Sequence, residues 1–367
     1  MAKKIGITGI DGLIGWHLRS FLHGQKDVEV YGADKPEFAS PDLLKKFAAS
    51  CDVIVHLAGM NRGDEAEVAA TNVALTEQLL AACDAAGVRP HIIFSSSTHI
   101  YRGTPYGNSK KRCAELIRAW ADGHKTPFTN FVLPNVFGES GKPFYNSAVS
   151  TFCYQLANGQ KPEIIKDIEV EQLHARHVAR EMYAAALKPV NGELEPKGHK
   201  IFVSQLLARL KAMADMYSAH IVPDLRHELD LDLFNTYRSY LFPAKTPGTL
   251  DLKKDQRGYL FEAAKSTNGG QTFISSTAPG ITRGDHYHTR KFERFLVIKG
   301  KACIRVRKLF SGDTHEFHVD GDKPQFVDMP ALHTHNITNT GDSELLTLFW
   351  ASEIFDPADP DTYQETV

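Results

Sequence analysis

The chain has 367 residues, with 42 Lys and Arg against 44 Asp and Glu, a formal net charge of −2 that offers no broad basic footprint for nucleic acid. That length is long for one core and points to two domains, while no apolar run reaches membrane-spanning length. The five cysteines (Cys51, Cys83, Cys113, Cys153, Cys303) are scattered and form no C-x-x-C pair, and Met1-Ala-Lys-Lys leads straight into a strand instead of a signal peptide. Both features predict a cytoplasmic protein with reduced thiols.

In chain order, Lys4–Thr8, Val28–Tyr31, Val53–Leu57, His91–Phe94 and Thr129–Leu133 read as short apolar strands. Helical patterns fall between them at about 13–23, 41–49, 65–86 and 106–122. This alternation predicts an α/β, doubly wound parallel sheet of the Rossmann type. Helical stretches over 204–217 and 223–241 are expected to close that domain, and Phe242-Pro-Ala-Lys-Thr-Pro-Gly248 has boundary composition. From Thr249 onward, short strands and Gly, Asp and Pro turns predict an all-β barrel. The expected domains are therefore 1–243 and 248–367.

Between the first strand and first helix lies Thr8-Gly9-Ile-Asp-Gly12-Leu-Ile-Gly15. Gly9 would allow the tight turn, Gly12 the approach of a pyrophosphate to backbone, and Gly15 close packing of helix on strand. The spacing T-G-x-x-G-x-x-G resembles the extended short-chain dehydrogenase/reductases. Three further segments support the resemblance: His56-Leu-Ala58-Gly59, where backbone passes beside the cofactor, Asn72, and Pro134-Asn135-Val-Phe-Gly138. Asp34, about 20 residues beyond the glycines, could bind a ribose 2′-hydroxyl and favour NAD; Lys35 could pair with the 2′-phosphate of NADP. The sequence leaves both open.

Tyr106-Gly-Asn-Ser-Lys110 places a phenol and an ammonium at i and i+4 on one helix face, where the cation would lower the tyrosine pKa and ease proton transfer to a carbonyl. In the run Ser95-Ser96-Ser97 at the fourth strand's end, the resemblance to those reductases implies a hydroxyl bonded to the substrate oxygen, with Ser97 favoured and Ser96 close behind. The short link from Ser97 to Tyr106 predicts an abbreviated pocket wall.

In the second half, Gly280-x5-His286-x-His288-x4-Glu293-x6-Gly300 puts two imidazoles on one strand face with a carboxylate able to close on the same point. Such ligands suit a divalent transition metal with open positions. The pattern resembles the first cupin motif, and Pro330, His335 and Asn339 resemble the second, with His335 as fourth ligand. Leu332 stands where many cupins carry glycine, so the turn there is expected to differ.

Asp255-Gln-Arg257-Gly258-Tyr-Leu-Phe261-Glu262 resembles a segment of the nucleotide-sugar 3,5-epimerases. Arg283-Gly284-Asp-His286 also resembles the segment bearing their catalytic base; the intact metal motif favours the ligand role for His286, leaving a base unassigned among Tyr259, Asp285, Tyr287 and His333. Over its whole length, through Ser150-Thr-Phe-Cys153-Tyr and the tail Phe355 to Tyr363, the chain resembles the bifunctional capsular-polysaccharide enzymes that join an extended reductase to a cupin. That resemblance implies 3-epimerisation and then NADPH-dependent 4-reduction of a UDP-linked 4-keto amino sugar, a zinc-bound cupin and a homodimer. Two other readings are a 4-reductase with the cupin as a dimerisation or binding module, and a non-catalytic nicotinamide-binding sensor.

Overall fold

The computed structural model describes residues 2–250, 253–255, 258–260, 264–266, 268, 270–353 and 356–367. In chain order the first half runs β1 (Lys3–Thr8), α1 (Leu13–His23), β2 (Val28–Ala33), α2 (Lys35–Phe38), α3 (Pro41–Ala49), β3 (Val53–His56), α4 (Glu65–Ala86) and β4 (His91–Ser97). It continues with α5 (Pro105–His124), β5 (Phe128–Leu133), β6 (Asn135–Phe137), α6 (Ala148–Ala157), β7 (Glu169–His174), α7 (Ala175–Leu187), β8 (Gly192–Leu194) and β9 (His199–Phe202). Two further helices follow, α8 (Val203–Ser218) and α9 (Glu228–Leu241). The five strands and the helical patterns expected from sequence appear at these places, except that the last helix begins at Glu228 and not at 223.

The chain divides into two compact units, one of Met1–Thr151 with Lys166–Val203 and one of Phe152–Ile165 with Ser204–Val367. This grouping places α8 and α9 with the β-rich unit, whereas the hydrophobic pattern alone assigned them to the first domain. Their inward side chains bond to the β-rich half: Asn235 Nδ2 donates to the Arg290 carbonyl, in the loop before Glu293–Lys299, at 2.9 Å, and Tyr217 and Arg238 both reach Asp328 on Gln325–Met329.

In the α/β unit, six parallel strands stand in the order β2-β1-β3-β4-β5-β8. Ile5, Ile7, Val53, Val55, Ile93 and Phe131 are buried, as a sheet covered on both faces by helices requires. Strand order reverses between β1 and β3, and α/β sheets bind ligands beyond the carboxyl ends of the strands at such a point.

In the β unit, one five-stranded sheet contains Gly248–Thr249, Gln325–Met329, Glu293–Lys299, Leu345–Ala351 and Gln271–Thr277. The other contains Thr314–Asp320, Lys301–Lys308, His333–Asn339, Thr282–Tyr287 and Tyr363–Gln364. Pairing is antiparallel throughout both sheets. Alternate residues such as Phe295, Val297, Ile304, Val306, Val327 and Ile337 form the core. Among the described residues no helix is long and apolar enough to cross a membrane.

Candidate active site and metal centre

A cleft of about 1000 Å³ opens in the α/β unit at the carboxyl ends of β1, β3 and β4. The glycine loop forms one end. Gly9 has φ +67°, and a Cβ there would lie 2.9 Å from the Ala58 nitrogen. A Cβ on Gly15 would lie 2.2 Å from the Gly9 carbonyl oxygen, so glycine lets α1 close on the loop. Gly12 caps α1 without a side chain, leaving the helix N-terminus facing the cleft, a favourable place for a phosphate. Gly9, Gly12 and Gly15 all line the cleft.

Sequence reasoning missed the network behind this loop. The Thr8 Oγ1 accepts the amide protons of Leu57 and Ala58 at 3.1 and 3.2 Å and donates to His56 Nδ1 at 2.7 Å. The opposite nitrogen of His56 then donates to Thr76 Oγ1 at 3.2 Å. Burial, and secondarily Lys110, pushes His56 down to about 3, so the ring is neutral. Asn72 joins this region to α5: its Oδ1 accepts from the Met60 amide at 2.7 Å and its Nδ2 donates to Ser109 Oγ at 3.2 Å.

Tyr106 and Lys110 lie in the cleft with Ser95, Ser96 and Ser97. Thr104 caps α5 through the Gly107 amide, and Pro105 occupies its first turn, which fixes the helix start immediately before Tyr106. Lys110 Nζ is buried, donates to the Ser95 carbonyl at 2.9 Å and lies 4.7 Å from the Phe94 ring centre. Burial pushes Lys110 down to about 8. The expected lowering of the tyrosine does not appear: burial, with Cys113 and Tyr145 adding to it, pushes Tyr106 up to about 12. The phenol therefore keeps its proton at neutral pH. Ser97 Oγ accepts from the His99 amide at 3.3 Å, leaving its own proton for another acceptor, whereas Ser96 Oγ is buried without a hydrogen-bond partner among the described residues.

Asp34 and Lys35 are not among the residues lining the cleft. Asp34 caps α2, accepting from the Lys35 amide at 3.0 Å, while Glu37 accepts from the Asp34 amide at 2.7 Å. The cleft residues outside the motifs include Arg62, Lys142 and His99, whose ring stands edge-on to Tyr106 with centroids 5.7 Å apart. A basic residue in a loop has no periodicity to mark it.

In the β unit, His286, His288, Glu293 and His335 bring one ligand atom each to within 4.8 Å of one another. His286 pairs in register with His335 across adjacent strands. His288 Nε2 and His335 Nε2 lie 3.3 and 3.4 Å from Glu293 Oε2, and both nitrogens are buried without a hydrogen-bond partner among the described residues. Their other nitrogens face carbonyls: His288 Nδ1 donates to Asp361 at 2.6 Å and His335 Nδ1 to His333 at 3.1 Å. A carbonyl can only accept, so each Nδ1 carries the proton and each Nε2 presents a lone pair inward, as metal-binding imidazoles do. The donor set fits a divalent transition metal.

Leu332 keeps the turn that glycine would favour. It has φ +62° while its amide donates to the His288 carbonyl at 2.7 Å, so the left-handed position survives with a buried leucine. Beside Glu293, Arg294 donates to both oxygens of Asp328 at 2.8 and 3.1 Å, and Arg238 stands 3.3 Å from the same carboxylate. Of the residues considered as a base, Tyr287 stacks on Tyr363 with centroids 5.3 Å apart, and Asp285 accepts from Asn336 Nδ2 at 2.8 Å. The His333 Nδ1 donates to the Ala331 carbonyl at 2.9 Å. The side chain of Tyr259 lies outside the described residues, as do the other side chains of the epimerase-like segment Asp255–Glu262.

Comparison with known proteins agrees with this architecture. Residues 5–197 match the NAD dependent epimerase/dehydratase family, and residues 253–363 match the polysaccharide biosynthesis C-terminal domain. A UDP-2-acetamido-2,6-beta-L-arabino-hexul-4-ose reductase of Pseudomonas aeruginosa is 31% identical over 366 residues, 98% of either chain. The crystal structure of the capsular polysaccharide assembling protein CapF from Staphylococcus aureus is 32% identical with a TM-score of 0.65, covering 99% of this chain and 100% of that one. A probable low-salt glycan biosynthesis epimerase, Agl13 of Haloferax volcanii, is 25% identical over 124 residues, 30% of this chain and 80% of that protein. With its parallel sheet, glycine loop and Tyr106–Lys110 pair in one cleft, the chain belongs to the NAD dependent epimerase/dehydratase family.

Proposed function

We propose that the chain is a bifunctional nucleotide-sugar enzyme of capsule or O-antigen synthesis, acting as a homodimer. The β unit, read as a cupin, epimerises C3 of a UDP-linked 2-acetamido-2,6-dideoxy-4-ketohexose. The α/β unit then reduces C4 to give UDP-2-acetamido-2,6-dideoxy-L-talose, a precursor of N-acetyl-L-fucosamine. The observation that carries the reductase half is the meeting of Tyr106, Lys110 and Ser97 with the glycine loop in one cleft. The names of the Pseudomonas and Haloferax relatives, a reductase and an epimerase, support the pairing.

A nicotinamide cofactor, NADPH with NADH as the alternative, supplies the hydride when bound. Its pyrophosphate would rest on the α1 N-terminus beside Gly9, Gly12 and Gly15, with Ala58 backbone alongside. Ser97 would hold the C4 oxygen by its hydroxyl proton while Tyr106, protonated because burial raises it, gives that oxygen its proton. Lys110 would turn from the Ser95 carbonyl toward the ribose of the cofactor. Arg62 and Lys142 would meet the substrate diphosphate.

In the β unit, His286, His288, Glu293 and His335 would hold one divalent ion, zinc by the family resemblance, which when bound supplies a Lewis acid near the sugar ketone. A second reading, reduction alone with the β unit as an accessory, is favoured by the Pseudomonas relative's name, which mentions only a reductase. Incubation with the UDP-4-keto sugar in heavy water, without nicotinamide, separates the two. Deuterium at C3 by NMR is expected. Its absence, with NADPH oxidised once added, would leave a reductase carrying an accessory domain.

A further inference from the structure

The α/β unit contains a second buried group of two histidines and a glutamate. His17 lies on α1, two residues after Gly15; Glu139 follows Gly138; His174 ends β7 and caps α7. Their exposures are 3, 4 and 3%. His174 Nε2 and His17 Nε2 lie 3.1 and 3.5 Å from Glu139 Oε2, distances close to those in the β-unit cluster. Distance alone would make this a second metal site.

Proton positions separate the two clusters. His174 Nδ1 accepts the Arg176 amide proton at 3.1 Å, so the ring's own proton sits on Nε2 and faces the carboxylate. That approach is bent, so the N–H meets the carboxylate as a dipole and not as a straight hydrogen bond. His17 Nε2 lies 3.1 Å from the Glu139 carbonyl, which only accepts, so this nitrogen is protonated too. Neither Nε2 has a lone pair to offer an ion. Burial would raise Glu139, but His174 and then His17 outweigh it and hold the carboxyl below its ordinary value.

Glu139 begins a strap, residues 138–147, whose Ser140, Lys142 and Tyr145 line the cleft. The strap runs through φ +158° at Gly138, +67° at Ser140 and +55° at Phe144, a course that surrounding contacts must hold. Its far end is tied: Arg62 donates to the Phe144 and Tyr145 carbonyls, and the Phe144 amide donates to Thr151 Oγ1 at 3.0 Å. Its near end meets the histidines at Gly138 and Glu139, where a Cβ on Gly138 would lie 2.7 Å from His17 Nε2.

We propose that His17 and His174 are positioning residues that clasp Glu139 as a buried carboxylate, without metal, and so seat the strap as a wall of the reductase cleft. The catalytic consequence rests on the reductase reading; the clasp itself does not. His174→Asn keeps an acceptor for the Arg176 amide, so the α7 cap survives, but it cannot reach Glu139. Hydrogen exchange of 138–147 in this variant should quicken at least about tenfold while α7 stays protected. With the keto sugar, kcat/KM should fall about tenfold to a hundredfold, chiefly through KM. Met182→Ala, a cavity in the same core, should lower the melting temperature without moving KM.

Unchanged strap exchange overturns the proposal. So does an equal KM rise in Met182→Ala, or a second metal equivalent per chain that Glu139→Gln removes. Should the wild type fail to reduce the sugar, the reductase reading falls, and the exchange experiment still decides the clasp.

Discussion

The cleft of the α/β unit and the histidine cluster of the β unit are built by different means. The cleft is assembled largely from backbone: a glycine loop, a bare helix N-terminus and the carboxyl ends of parallel strands, with Tyr106 and Lys110 added from one helix face. The cluster is assembled from side chains, four ligand atoms within 4.8 Å, with His286 and His335 set by strand register and His288 and His335 aimed by neighbouring carbonyls. A large anionic molecule is best met by many weak donors along an open surface. A single cation needs a few lone pairs converging in a buried place.

If the two sites are chemically independent, a variant in one should spare the other. Tyr106→Phe removes the proton donor, and reduction should fall by about 10²–10⁴ while deuterium exchange at C3 continues. Loss of both activities together would join the sites in one reaction. His335→Ala should do the opposite. Bound metal, measured by atomic absorption, and C3 exchange should both fall by more than the roughly 10–100-fold typical of residues that only support ligands. Reduction of a pre-epimerised sugar should persist.

The next effect is on stability. Asp328 is buried among Arg294, Arg238 and Tyr217, whose interactions outweigh its burial and hold it below its ordinary value. Asp328→Ala leaves two guanidiniums buried without a carboxylate and should cost about 3–5 kcal/mol. A denaturation curve should show that loss in the β unit, with the α/β unit unaffected.

Acidification probes the other unit. His56 titrates at about 3 instead of 6.5, so between those pH values the unfolded chain binds a proton that the folded chain excludes. Its contribution is whole above about pH 6.5 and is lost as pH falls, by about 1.4 kcal/mol per pH unit. Urea midpoints for His56→Asn should show a slope shallower by about one proton. The smallest change is expected from Asp34→Ala. Loss of the α2 cap should cost about 1 kcal/mol, and the KM for NADPH should move less than about twofold if capping is its whole role.

Much of this was legible in order along the chain. The glycine spacing, the i, i+4 pair Tyr106–Lys110 and the i, i+2 pair His286–His288 are local patterns, and local backbone geometry turns each into a shared face. The turn at Leu332 was expected to depart from glycine geometry, yet its backbone remains left-handed because the hydrogen bond to His288 holds it there. Arg62 and Lys142 gave no signal, since loop cations recruited to a cleft follow no period.

By itself the sequence determined an α/β half and a β-rich half and marked the residues the structure brings together in each, because hydrophobic period and motif spacing act over a few residues. Only the tertiary structure decided what those groups' surroundings do to them. It raised Tyr106 where the cation alone would have lowered it, and it gave Asp34 a helix cap to fill. It also distinguished two histidine–glutamate clusters of similar dimensions by which ring nitrogen the neighbouring carbonyls and amides leave protonated. Burial and proton placement depend on partners far apart in the chain, and no local pattern records them.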